Sequence, residues 1–198
     1  MDKELLDFQK NALLGNISGQ PLCSDYKAAW RSCGNDKEML VRLALSQQSL
    51  PFLSHACYTK MGVTKDYIVN NFGEFINGNR VFSDVEGVKG YTYELYVGHR
   101  KPFDIKSDVI AMMWCDCDIT MPKTKCGRIY VSNGSTIHLS LDGYNSPSVY
   151  LFDDSKVIID DADEDSTVTV FKYSDKASVE IGKYCFAKVN QFTKKLKL

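Results

Sequence analysis

Two thiols one residue apart, Cys115 and Cys117, with Cys126 close behind them, form the arrangement in this chain nearest to a soft-metal site. A closed tetrahedral site needs a fourth donor, and His55, His99 and His138 each stand alone in the sequence. The alternating spacing puts both thiols on one side of a strand, where small apolar side chains belong. Packing is therefore the expectation for this pair, with no metal and no cofactor. A thiol nucleophile would need an imidazole to take its proton, and no cysteine is paired with a histidine.

Carboxylates gather at Asp160, Asp161, Asp163, Glu164 and Asp165, and again at Asp153 and Asp154. Calcium loops space their oxygen ligands in an ordered D-x-D-x-D-G series with a distant Glu, and that series is absent. The run reads instead as a solvated corner whose like charges keep a β edge soluble and unpaired. A glycosidase on a β-helix would need two carboxyls about 5 to 10 Å apart on one outward face. Asp153, Asp154 and Asp160 fall at corners where such a pair could arise. No glycine-rich phosphate loop follows a strand, and no serine nucleophile elbow occurs.

A third motif runs from Met61 to Ile68. It is similar to the turn of helix-turn-helix DNA readers, with Gly62 in the turn and Thr64 capping the second helix. Tyr58 stands where close helix packing wants a small residue, and Asn71 stands where an apolar one is needed. Residues 1–78 carry eight Lys or Arg against eight Asp or Glu, so no excess charge is available for phosphate neutralisation. A capped helical hairpin used for packing accounts for the motif, and DNA reading through 51–76 is the alternative.

Composition narrows the choice further. The chain has 198 residues, 44% of them hydrophobic, and a net charge of -1, a balance that calls for neither nucleic acid nor a membrane. No apolar run reaches the length of a signal peptide core or a spanning helix, so synthesis in a cytosol is expected. Seven scattered cysteines cannot all pair, which fits free thiols in a reducing compartment.

The elements that would position these groups fall into two parts. Up to Gly78 the apolar spacing is helical. It predicts five short helices: one over 2–14 stopped by Gly15, one capped by Ser24, one capped by Asn35 or Asp36, one starting at Pro51, and one capped by Thr64. The connector 16–21 is turn-rich. After Gly78 the period becomes 2, first in a strand over 90–97 set off by Gly87 and Gly98.

The stretch 128–181 then repeats a phrase at intervals of roughly 18 to 20 residues, each unit a short strand, a polar corner and a second short strand. This is the mark of a β-solenoid, whose rungs must stack to bury their apolar edges. Laying Ile119 over Ile137 sets Ala111 over Ile129 and Met113 over Val131, and adds 108–121 as an irregular first rung. The expectation is thus an α+β chain, with a helical docking domain over 1–78 and a β-solenoid of about four rungs over 79–198. Ile129, Val131, Ile137, Leu139, Val149, Leu151, Val157, Ile159, Val168, Val170 and Val179 should point inward. Tyr130, His138, Tyr150, Ile158 and Thr169 should form ladders outside.

Both ends of so short a stack need covers. The helices are expected over the first rung, with 184–189 and the basic tail from Lys194 onward over the last, or a partner protein or second copy of the chain at one end. Tyr130 and Tyr150, joined by His138, are the expected recognition surface, since aromatics on a rigid sheet bind at low entropic cost. Replacing both tyrosines by Ser should then abolish partner capture and leave the fold intact. No small-molecule substrate is evident.

The segments 37–45 and 50–52, Gly62 to Ile68, Phe75-Ile76-Asn77-Gly78 and 150–155 resemble a group of proteins from gut Bacteroidota and their phages. The resemblance covers most of the chain. It implies a helical start, a repetitive β end and a phage-linked or mobile-element setting, where β-solenoids serve as fibres, spikes and adhesive modules. It carries no catalytic residues. The expected function is a non-enzymatic structural or interaction module.

Overall fold

The structure, a computed structural model, describes residues 3–14, 23–47, 49–60, 63–85, 89–123, 126–183 and 185–194. Gly15, the connector 16–21, Met61, Gly62, Gly87, Tyr184 and residues 195–198 lie outside the described residues.

Five helices come first: α1 (Lys3–Leu14), α2 (Ser24–Cys33), α3 (Lys37–Ala44), α4 (Ser49–Tyr58) and α5 (Lys65–Phe72). Two of the expected caps hold. The Asp36 side chain accepts the Met39 N–H at 3.0 Å, and Thr64 Oγ1 accepts the Tyr67 N–H at 3.2 Å. Ser24 is not a cap: Cys23 takes that place, without a side-chain bond, and Ser24 opens the first turn. Pro51 lies two residues inside α4, still within the turn whose N–H groups have no helical acceptor. The apolar stripe of α3 is Leu40, Val41 and Ala44, while Met39 turns outward at 44% exposure. Phe8 of α1 meets the Trp30 ring edge-on at 5.5 Å, which ties α1 to α2.

The β part is a parallel solenoid of five coils: β2 (Thr92–Val97) with β3 (Phe103–Asp104), β4 (Val109–Met113) with β5 (Asp116–Met121), β6 (Arg128–Ser132) with β7 (Thr136–Leu141), β8 (Ser148–Leu151) with β9 (Lys156–Ala162), and β10 (Thr167–Lys172) with β11 (Ser178–Ile181). β1 (Phe82–Ser83) lies antiparallel against β2, and β12 (Lys188–Thr193) lies parallel beyond β10. Stacking produces sheet A, in the order β1-β2-β4-β6-β8-β10-β12, and sheet B, in the order β11-β9-β7-β5-β3. The α+β solenoid architecture is as the sequence implies, with one coil more than the four read from it.

The register differs from the one the repeat suggests. Ile110, not Ala111, stands beside Ile129, and Met112 beside Val131. Ile119 stands beside Leu139, with Cys117 beside Ile137. An 18-residue step was one residue short in sheet A and two short in sheet B, and a one-residue slip exchanges the inner and outer faces. The expected inward residues all belong to the interior cluster, with Val179 partly buried at its end, and Ile110, Met112, Cys115 and Cys117 join them.

The helices cover a flank of the solenoid rather than its end. α5 packs on β2 and α4 on β6. The helical core continues into the outer face of sheet A through Tyr93, Leu95, Val97, Val109, Ala111, Met113, Tyr130 and Phe152. Over β2, β4 and β6, sheet A therefore has two dry faces, one against the interior and one against the helices. The first edge is closed otherwise. Beyond β1, Asn77 acts as a further strand residue: its Oδ1 accepts the Val97 N–H at 2.9 Å and its Nδ2 donates to the Val97 carbonyl at 3.2 Å. Inside the first coil, Tyr96 stacks on Phe103 at 4.2 Å.

Candidate functional site

The corner between the two sheets, under α4, gathers the most polar chemistry. Gly98, Trp114, Asn133 and Asp153 hold it in successive coils, all at positive φ between 53° and 63°. Asn and Asp tolerate this left-handed conformation better than most residues, while a Trp there is strained. Ser135 and Ser155, fully buried, close the turns by donating to the carbonyls of Ser132 at 2.6 Å and Phe152 at 2.5 Å. Asn133 Nδ2 donates to the Ser54 carbonyl at 3.2 Å, which pins α4 to the corner.

Beside that bond the fold brings together two groups far apart in sequence. His55 Nδ1 lies 3.9 Å from Asp153 Oδ1, and Asp153 Oδ2 accepts the Asn133 N–H at 3.4 Å. Burial pushes the Asp153 carboxyl up to about 7, opposed in part by the Asn133 N–H. Burial also lowers the His55 imidazole. Both groups are thus driven toward their neutral forms. The neighbouring Cys57 thiol is pushed up to about 12 by burial and then by the Asp153 charge, so it is no activated nucleophile. His55 stood alone in the sequence because its partner is contributed by a later coil.

Of the expected recognition residues, Tyr130 is only 5% exposed and belongs to the core shared with the helices. Tyr150 is half-buried against the same core. Their outward direction holds, but outward on sheet A means toward the helices, and substituting Tyr130 would strike the core. His138 lies on sheet B, with Nδ1 at 2.6 Å from Asp160 Oδ2. The three residues therefore do not share a surface.

The remaining motifs are dispersed as well. Cys115 and Cys117 lie in the solenoid interior, their thiols pushed up by burial to about 11 and about 12, while Cys126 is exposed. Among the described residues no group of three or more His, Cys, Asp or Glu is placed to hold a metal ion. Asp153 is buried at the corner under α4, whereas Asp160 is exposed near the far end of β9, five residues beyond Ser155. At strand rise that separation is roughly 16 Å, too long for a glycosidase pair. The carboxylates Asp163, Glu164 and Asp165 are exposed in the turn after β9.

The helical hairpin is committed to sheet A. Both the N–H and the hydroxyl of Thr64 donate to Glu4 Oε1 at 2.8 Å, so an acidic group stands where a DNA reader would meet phosphate. The side chains that α5 exposes are Asp66, Val69 and Asn70.

The last rung has a different character. Four aromatic rings stack along the outer face of sheet A: Tyr130 on Tyr150 at 4.5 Å, Tyr150 on Phe171 at 5.0 Å and Phe171 on Phe192 at 5.5 Å. The ladder starts beneath the helices and ends at Phe192, which is 50% exposed; Ile181 at the end of β11 and Phe186 before β12 are exposed elsewhere on the last coil, at 51% and 73%. Cys185, Ala187 and Val189 pack on the solenoid interior, so the described part of the segment expected over the last coil, 185–189, covers it. It then adds a strand, β12, which the sequence reading missed because its inward positions after Val189 are the polar Gln191 and Thr193. Among the described residues nothing pairs with the outer edge of β12.

Comparison with protein-family models, curated proteins and solved structures finds no match to this chain. Among the described residues no helix is long and apolar enough to cross a membrane.

Proposed function

We propose that the chain is a non-enzymatic interaction module, a helix-backed solenoid that docks another protein through its last rung, in the phage-linked setting its sequence resemblance implies. The observation that carries this reading is the aromatic ladder, which is covered at Tyr130 and exposed at Phe192. A row of stacked rings that runs from a core to an open strand edge offers a partner both an apolar contact and unpaired backbone groups.

Site-specific photo-crosslinking tests the reading. A photoreactive residue at Lys194, exposed on the same face of the edge as Phe192, should trap one defined protein, whereas the same group at His138, on sheet B, should trap none. Equal crosslinking from both faces, or from His138 alone, overturns the assignment of the last rung.

A further inference from the structure

We infer that the partner is a different chain and that it adds an extended strand with an acid-and-aromatic pattern to β12; the inference rests on the docking role of the last rung. Three features of that edge define the occupant. The first is its open backbone. Lys188 N–H donates to the Ser166 carbonyl at 3.1 Å and Lys194 N–H to the Lys172 carbonyl at 2.8 Å. Alternate residues of a parallel strand bond the same neighbour, so the N–H and C=O groups of Val189, Gln191 and Thr193 face away from β10 along the edge. A strand laid there gains a ladder of main-chain bonds.

The second feature is the row of side chains on the outer face. Phe192 stands beside Phe171 in register, and Lys188 beside Thr167. Strand alternation therefore puts Lys188, Asn190, Phe192 and Lys194 on one face. A ring on the partner opposite Phe192 continues the aromatic ladder, and carboxylates opposite Lys188 and Lys194 meet exposed ammonium groups.

Charge supplies the third feature. Residues 181–198 contain five lysines and no Asp or Glu, although the whole chain has a net charge of -1. Lys188 and Lys194, at the two ends of the edge, hold identical edges apart, which disfavours a second copy and favours an acidic partner. The sequence agrees: no stretch of this chain places an acid, an aromatic and an acid at the spacing of Lys188, Phe192 and Lys194, in either strand direction.

The test uses the full chain with synthetic peptides that carry the pattern, EVTVFVE for parallel addition and EVFVTVE for antiparallel, measured by calorimetry at low and physiological salt. Controls replace both Glu by Lys, or by Gln. One acidic peptide should bind, more weakly as salt rises, and the Lys control should bind at least about tenfold more weakly. The charge-swapped protein K188E/K194E should reverse that preference. Because both sites are exposed, it should fold normally, as checked by circular dichroism. Equal affinity for acidic and Gln peptides overturns the acidic partner but leaves strand docking standing. Binding of no peptide overturns both. A chain that doubles in mass on its own through β12 overturns the claim of a different partner.

Discussion

The rings of Tyr130 and Tyr150 stack with centroids 4.5 Å apart and planes within 9° of parallel, one in the core under the helices and the other at its margin. The pair marks where a single ladder changes from structural packing to exposed surface. Truncation should therefore cost stability at one end of the ladder and little at the other.

Tyr130→Ala removes a buried ring from the core shared by α4 and β6. By analogy with large-to-small core changes it should lose about 3–5 kcal/mol. Phe192→Ser, at a half-exposed position, should change stability by less than about 1 kcal/mol. Urea unfolding of both variants checks the contrast.

Asp153 gives the fold a pH dependence with a definite sign. Its folded pKa of about 7 lies above the ordinary carboxylate value, so folding takes up a proton between the two. Stability from this group is greatest below about pH 3.9 and is lost as pH rises to about 7, at up to about 1.4 kcal/mol per pH unit. His55, with a lowered pKa, acts oppositely and costs stability as pH falls through the ordinary imidazole range. Asp153→Asn keeps an acceptor for the Asn133 N–H and tolerates positive φ. Its advantage over the wild type should be largest at pH 8 and should shrink toward pH 4 in parallel denaturation series.

Asn77 supports the first edge through both its side-chain bonds and its backbone, at φ 58°. Asn77→Gly keeps the backbone conformation and loses the two bonds to Val97, which should cost about 1–2 kcal/mol. Asn77→Ala adds the left-handed penalty and should cost about 1 kcal/mol more. Thermal unfolding of the two variants separates the contributions.

Thiol accessibility should follow burial. At pH 8 a disulfide reagent should label the exposed Cys23 and Cys126 quickly, and Cys33, Cys57, Cys115 and Cys117 only on unfolding. Mass mapping of the labelled sites provides the check.

The repeat was legible because aliphatic residues recur at period 2 inside each strand, and every inward residue named from 128–181 is found inside or at the end of the interior. The irregular coils were less so. β3 has only two residues, and β5 alternates Asp116, Cys117, Asp118 and Ile119, where Cys117 replaces the aliphatic signal. What lies outside a strand could not be read at all. A tyrosine on an outer face looks the same in sequence whether water or a helix covers it, and only the packing of α4 and α5 on sheet A decides. The contact between His55 and Asp153 and the open edge of β12 are likewise products of tertiary stacking.

Amide hydrogen exchange at Val189, Gln191 and Thr193 reports whether β12 is an open edge awaiting a partner strand. In the isolated chain these three amides should exchange far faster than their neighbours Asn190 and Phe192, which face β10, and they should become protected when an acidic strand peptide binds. Strong protection of all five amides in the isolated chain would rule out an open edge, because β12 would then already be covered.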